Sequence, residues 1–240
     1  MAHTVFITGA ARRIGRALAL FFSRRGDTVV AHYNHSQAEA QSLREECPGP
    51  CILQRADLSR PETADDLFRA AVDEAGPIDL LINNASIFPR ASLQTMTIEG
   101  WTENLTVNAF APFQLMRKAA AQDGDGSVIN ILDTRILDYD REHADYHISK
   151  RVLHTLTRMG ALEFAPHWRV NAIAPGLILP PPGADDSYLE THKGANPLNT
   201  HGAVEDICRA AAYLTDSPFV SGQILYVDGG RHLKGNVYGG

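Results

Sequence analysis

The chain has 240 residues, with 22 Lys plus Arg against 28 Asp plus Glu, for a net charge of −6. Hydrophobic residues make up 44% and charged residues 21%, close to globular averages, which excludes a disordered, collagen-like or coiled-coil architecture. The acidic balance argues against a nucleic-acid partner, and no apolar run approaches the ~18–20 residues of a membrane span.

The start, MAHTVFITGAARR, reads as a strand and turn rather than a signal peptide. β-rich runs follow at His3–Thr8, Asp27–Tyr33, Cys51–Gln54, Ile78–Asn83, Ser127–Leu132, Arg169–Ile173 and Gln223–Val227. Helical spacing lies between them. Ile14–Arg24 places Ile14, Ala17, Leu18, Phe21 and Phe22 on one face. Ser36–Glu46 opens with a Ser-x-x-Glu capping box, Ser36 to Glu39. Pro61 suits the first turn of a helix running to about Glu74, and further helices are predicted at Trp101–Ala121, His143–Phe164 and Ala203–Leu214. Strands alternating with helices predict βαβ units and a parallel sheet, and the nearly continuous apolar strands predict helices on both faces. The expected architecture is a single α/β domain over 1–240, a doubly wound parallel sheet of about seven strands. Leu177–His201, with Pro180-Pro181-Pro182-Gly183 inside it, is the one long irregular stretch, and loops of that length are usually functional or disordered. Cys47, Cys51 and Cys208 are an odd number without framework spacing, which fits a reducing, cytoplasmic setting.

Strand one runs into Thr8-Gly9-Ala10-Ala11-Arg12-Arg13-Ile14-Gly15 and then a helix. Small residues let backbone approach a phosphate, and a helix start offers free N–H groups with partial positive charge. Gly9 serves the tight turn and Gly15 close helix–strand packing. An acid at the end of strand two would bind the ribose hydroxyls of NAD and repel a 2′-phosphate. The sequence there, Val29 to Ser36, has none, and Arg12, His35 and Ser36 are donors suited to that phosphate. This favours NADP(H). Tyr146 and Lys150 stand four apart on a predicted helix and share a face. A nearby ammonium favours phenolate, so Lys150 is expected to lower the Tyr146 pKa from its usual ~10.

TGAARRIG at 8–15, NNAS at 83–86, Tyr146-His-Ile-Ser-Lys150, APG at 174–176 and VDGG at 227–230 occur in that order along the whole chain. Together they resemble the short-chain dehydrogenase/reductase superfamily, a Rossmann-type fold. That family commonly has glycine where this chain has Arg13. An arginine there, with His-Tyr-x-x-Ser at 32–36, resembles the pteridine reductase branch and bacterial dihydromonapterin and dihydrofolate reductases of that type. The resemblance implies that Thr8, Gly9, Arg12, Arg13, Ile14, Gly15, His32, Asn34, His35, Ser36, Asp57, Leu58, Asn84, Ala85, Ser86, Lys150, Pro175 and Gly176 line the cofactor, with Asp57 at the adenine amino group and Leu58 beside the ring. It implies a catalytic role for Tyr146, Lys150 and Asn108, the last placing a water beside the lysine. Asn108 is followed by Pro112, so irregular backbone is expected there.

Asp133 stands thirteen residues before Tyr146, where the superfamily usually has a serine that bonds a substrate carbonyl. A carboxylate repels a developing oxyanion and suits a ring that carries N–H groups, and the pteridine branch has Asp at this place. Thr134, the adjacent hydroxyl, is an alternative donor. Phe88 sits where that branch sandwiches a pterin ring, although the residue alone reads more readily as a core phenylalanine. Arg13, Phe88, Asp133, Tyr146 and Leu177 are the expected substrate contacts, with Leu179 and Tyr188 as further candidates in the loop. No metal is expected. The resemblance also implies a homotetramer, packed through the helices around Trp101–Ala121 and His143–Phe164. The reading is an NADPH-dependent pterin reductase. A ketone or 3-oxoacyl reductase of the same superfamily and a non-catalytic dinucleotide-binding regulator are the alternatives.

Overall fold

The computed structural model describes residues 2–138, 140–181 and 183–236, so Pro182 of the proline run and the end of the expected 1–240 domain lie outside the described residues. Seven strands form one all-parallel sheet: β1 (Thr4–Ile7), β2 (Thr28–Tyr33), β3 (Cys51–Arg55), β4 (Leu80–Asn83), β5 (Gly126–Ile131), β6 (Trp168–Pro175) and β7 (Ile224–Val227). Their spatial order is β3-β2-β1-β4-β5-β6-β7. Phe6 of β1 pairs with Val30 on one side and Leu81 on the other, so the winding reverses at β1. A crevice therefore opens at the carboxyl ends of β1 and β4, the usual ligand position in such sheets.

The helices are α1 (Arg13–Arg24), α2 (Gln37–Glu46), α3 (Thr63–Ala75), α4 (Ile98–Leu105), α5 (Ala111–Ala120), α6 (Ala144–Glu163), α7 (Ser187–His192) and α8 (Val204–Asp216). Strand side chains alternate between the two faces. Val5, Ile7, Val29 and Ile82 bury against Leu18 and Phe22 of α1, Leu43 of α2 and Ile207 of α8. Phe6, Val30, Leu81 and Val128 bury against Leu67 and Phe68 of α3 and Leu115 and Met116 of α5. Each fully buried side chain of this kind contributes about 1.5–3 kcal/mol.

Four local expectations are corrected. The single helix expected over Trp101–Ala121 starts earlier, at Ile98, where the Thr97 hydroxyl accepts the Gly100 N–H at 3.1 Å. It is then interrupted by a π-helical turn, Thr106–Phe110, before α5 resumes with Pro112 in its first turn. Proline has no N–H and crowds the preceding turn, so an unbroken ladder cannot pass through it; the irregular backbone expected at Asn108 is present. The Ser36–Glu39 capping box does not form, because the Ser36 side chain makes no capping bond and Glu39 turns to Arg12 instead. Pro61 precedes α3 rather than sitting in its first turn. Finally, the 177–201 stretch is not irregular throughout: it contains α7 and a short turn, Lys193–Ala195, seated by the buried Leu189.

Candidate active site

The turn after β1 is built by close backbone contact. Gly9 has φ +64°, the left-handed region, and a Cβ there would stand 2.9 Å from the Ala85 Cα. A Cβ on Gly15 would lie 2.2 Å from the Gly9 carbonyl oxygen, so α1 can pack down on the turn only through glycine. Thr8 clamps this turn to the end of β4: its hydroxyl oxygen accepts the N–H groups of Asn84 and Ala85 at 2.9 and 3.0 Å. The Asn84 amide donates back to the carbonyls of Thr8 and Gly9. Beneath the turn His32 is buried, with Nδ1 accepting the Gly9 N–H at 3.1 Å and Nε2 facing the Ala56 carbonyl at 3.2 Å. Burial pushes its pKa down to about 4, so it stays neutral. His32 is thus a strut under the turn, not the cofactor contact expected of it.

The first turn of α1 has no capping side chain and no acidic residue. Its free N–H groups face the crevice edge, an arrangement that fits a dinucleotide pyrophosphate. Ile14 packs its side chain on the core, leaving its backbone N–H as its contribution. Arg12 is paired with Glu39 across to α2, so the 2′-phosphate donor expected from the sequence already has a carboxylate partner. His35 and Ser86 are exposed, and Ser36 is half-buried without a capping bond. The Asn34 amide donates to Asp57 at 3.2 Å, and Asp57 also accepts the Ser59 hydroxyl and N–H, which hold its carboxyl below the usual range. Leu58 is a correction: its side chain is buried in the core rather than beside a ligand ring.

Arg13 has φ +55°. Left-handed backbone costs a non-glycine residue ~1 kcal/mol or more. Its guanidinium donates to the Pro180 carbonyl at 2.8 Å and so ties the phosphate turn to the 177–201 segment. Leu177 is half-buried, and its carbonyl accepts the Gly202 N–H. Leu179 packs on the core and Tyr188 stacks on His192, so neither is directed to the site.

At the other end of the crevice, the Tyr146 hydroxyl donates to Asp133 Oδ2 at 2.9 Å. Asp133 follows β5, and its second oxygen accepts the Arg135 N–H at 2.8 Å. Tyr146 is only 7% exposed. Burial and the facing carboxylate raise its pKa well above the usual value. The expected lowering by Lys150 is therefore not met in this arrangement. Lys150 Nζ lies 5.7 Å from the Tyr146 ring centroid and donates to the Ile131 carbonyl at 2.8 Å. Burial lowers the Lys150 pKa to about 8, against the pull of Asp133. Thr134 is not an alternative donor, because its buried hydroxyl is spent on Asp228.

Asn108, in the π turn, exchanges hydrogen bonds with the Ile87 backbone and donates to Asn104 and to the Ser149 hydroxyl. It thereby joins the segment after β4 to α6 one residue from Lys150. Phe88 lies just beyond Ile87 and is 51% exposed, which excludes the core reading. Its ring stacks on His143 with centroids 3.8 Å apart and meets Tyr146 edge-on at 4.5 Å.

A charged group beside Phe88 and Tyr146 was not legible from the amino-acid pattern. Asp140 contacts both His143 and the buried His147 and pairs with Arg135. Although burial opposes it, the Glu142 N–H and the two histidines hold the Asp140 pKa down to about 2. Nor did that pattern show the task of Asp228, which accepts bonds from Thr134, Gly230 and His232. Pro175-Gly176 leaves the sheet against it: a Cβ on Gly176 would stand 2.6 Å from the Asp228 Cα. Only its place in the VDGG motif pointed to this residue.

A glycine-clamped turn at the switch point and a Tyr–Lys pair on α6 define a nicotinamide-dinucleotide-dependent oxidoreductase. Residues 9–232 match the family profile described as enoyl-(acyl carrier protein) reductase, and the chain belongs to the short-chain dehydrogenase/reductase family. It is 34% identical to 3β-hydroxysteroid dehydrogenase 1 of Eggerthella lenta, over 96% of this chain and 94% of that protein. It is 31% identical to a granaticin polyketide synthase putative ketoacyl reductase of Streptomyces violaceoruber, over 97% of each chain. The crystal structure of FolM alternative dihydrofolate reductase 1 from Brucella canis, complexed with NADP, superposes with a TM-score of 0.88 at 33% identity, covering 96% of this chain and 94% of that one.

Proposed function

We propose that this enzyme is an NADPH-dependent reductase that delivers hydride to a pterin of the dihydropterin or dihydrofolate class. The observation that carries the reading is the Asp133 carboxylate bonded to the Tyr146 hydroxyl beside the exposed face of Phe88. A flat heteroaromatic ring gains ~0.5–1.5 kcal/mol from aromatic packing beyond burial. An edge that carries N–H groups finds in Asp133 an acceptor, where a ketone oxyanion would find repulsion. The FolM likeness in both fold and sequence supports this choice of substrate.

Thr8, Gly9, Ile14 and Gly15 would hold the pyrophosphate through backbone, with Ser86, Asn84 and Ala85 along the cleft and Asn34 and Asp57 at the adenosine end. Arg12, His35 and Ser36 would receive the 2′-phosphate, Arg12 exchanging Glu39 for it, while Arg13 would reach toward the cofactor phosphates and the substrate. Lys150, Pro175 and Gly176 would border the nicotinamide, which supplies the hydride when bound. Tyr146, kept protonated by burial and Asp133, holds the proton that the reduced product needs. Asp133 orients that hydroxyl, and Lys150 keeps a positive charge below it. Asn108 fixes the π turn that sets Ile87 and Phe88 against α6. Leu177 and the rest of the 177–201 segment would cover the substrate, tethered through Arg13.

NADPH oxidation measured with dihydrobiopterin, dihydrofolate and a simple β-ketoester tests the reading. Turnover of either pterin above the ketoester supports it; turnover of the ketoester alone assigns the enzyme to carbonyl or 3-oxoacyl reduction, the activity class that the Eggerthella and Streptomyces names describe. We place the enzyme in the cytoplasm as a homotetramer acting on small molecules. Exposed Phe110, at the π turn, and Val152, Met159 and Leu162 on α6 supply apolar surface for subunit packing. Among the described residues no helix is long and apolar enough to cross a membrane, and no cluster of metal-ligating side chains occurs.

A further inference from the structure

Cys47 ends α2 and Cys51 opens β3, with only Pro48-Gly49-Pro50 between them. Two prolines fix φ at two of the three linking residues, so the turn returns the second cysteine to the first with little freedom. It is also pinned from outside. The Cys47 N–H donates to the Leu43 carbonyl at 3.0 Å, the Gly49 N–H to the Ser23 hydroxyl at 3.2 Å, and the Pro50 carbonyl accepts the Val29 N–H at 2.9 Å. The turn carries both thiols onto the same margin of the core, where each acts electrostatically on the other and Ser23 acts on Cys47. Both are half-buried at the margin of the core, whereas Cys208 is buried within α8.

The pair is electronically unequal. The influence of the Cys51 thiol, then of Ser23 and the Arg16 guanidinium, brings the Cys47 thiol down to about 7 against burial and the Glu46 charge. The Cys47 thiol and burial push Cys51 up, with Arg44 opposing weakly. Arg16 is held in place by the Glu39 carbonyl, Ser42 and Glu46.

We infer that Cys47 and Cys51 form a peroxide-reactive dithiol, Cys47 attacking and Cys51 resolving, separate from the reductase site. The Cys47 thiolate attacks one oxygen of a hydroperoxide. An S–O bond forms, the O–O bond breaks, and the departing oxygen takes a proton and leaves as water or alcohol. The Cys51 sulfur, losing its proton, then attacks the Cys47 sulfenic acid. An S–S bond of ~2.05 Å forms, the S–O bond breaks, and a second water leaves. Two thiols are oxidised by two electrons and the hydroperoxide is reduced. A cellular thiol reductant reverses the step.

The full-length, fully reduced protein is treated at pH 7 with stoichiometric hydrogen peroxide, quenched by alkylation and mapped by mass spectrometry. Cys47 should react at least about fivefold faster than Cys208, since the thiolate fraction outweighs the loss of nucleophilicity. The product should be a Cys47–Cys51 linked peptide lighter by two hydrogens, with Cys208 still alkylated. In Cys51→Ser a dimedone-trapped sulfenic acid should accumulate at Cys47, and Cys47→Ser should yield neither adduct. Circular dichroism and dinucleotide binding of both variants confirm that they fold. Oxidation of Cys47 no faster than Cys208, or disulfides only between molecules, overturns the inference.

Discussion

Replacing Asp133 with serine separates pterin from carbonyl reduction. The Tyr146 hydroxyl now donates to a carboxylate at 2.9 Å in a largely enclosed site. A hydrogen bond to a charged group contributes ~1.5–3 kcal/mol. At ~1.4 kcal/mol per factor of ten this is about 10- to 150-fold in rate, if the bond orients the proton in the transition state. Pterin kcat/KM should therefore fall by about 10²-fold, within the range for a lost proton-handling group. The same substitution restores a neutral donor, so a simple ketone should gain, because a hydroxyl stabilises an oxyanion that a carboxylate repels. It also removes the charge that raises Tyr146 and the pull that supports Lys150. An ultraviolet titration should accordingly show Tyr146 ionising at lower pH than in the parent. The assay is NADPH oxidation with each substrate, alongside dinucleotide binding as a control for folding. Unchanged dihydropterin turnover in Asp133→Ser would refute the reasoning and leave a short-chain reductase without a reason to prefer pterins.

Three further outcomes are expected. Tyr146→Phe should lose about 10²–10⁴ in rate by removing the general acid, while calorimetric binding of NADPH stays close to that of the parent. The enzyme should prefer NADPH to NADH by at least about tenfold in kcat/KM, ~1.4 kcal/mol; Glu39→Gln, which releases Arg12 from its carboxylate, should widen that preference, and equal use of both cofactors sinks the assignment. Lys150 acts as the ammonium and its folded-state pKa is depressed to about 8, so kcat/KM should fall as pH rises through about 8, and a profile flat to pH 10 would show that its charge is not required.

The pattern along the chain was enough to determine the sheet. Apolar strands and helical spacing follow from which side chains water excludes, and these are local, periodic properties. The same holds for Gly9 and Gly15, whose place between strand and helix leaves room for no side chain, and for the Tyr146–Lys150 pair, which helix geometry puts on one face. The protonation logic of the site was not local. Lysine four residues away predicts an acidified tyrosine, yet the folded chain buries both groups and brings Asp133 from the end of β5 to the phenol, which reverses the shift. His32 and Leu58 match family positions but are enclosed by packing that only the assembled layers create. Ser36 and Glu39 have capping-box spacing, but Arg12, far off in sequence, competes for the glutamate with a full charge. Phe88 reads as core by composition and is left exposed because His143, at the start of α6, offers it a stacking partner at the surface. Spacing records which residues can meet along one element; burial and charge, set by contacts between elements, decide what they do there.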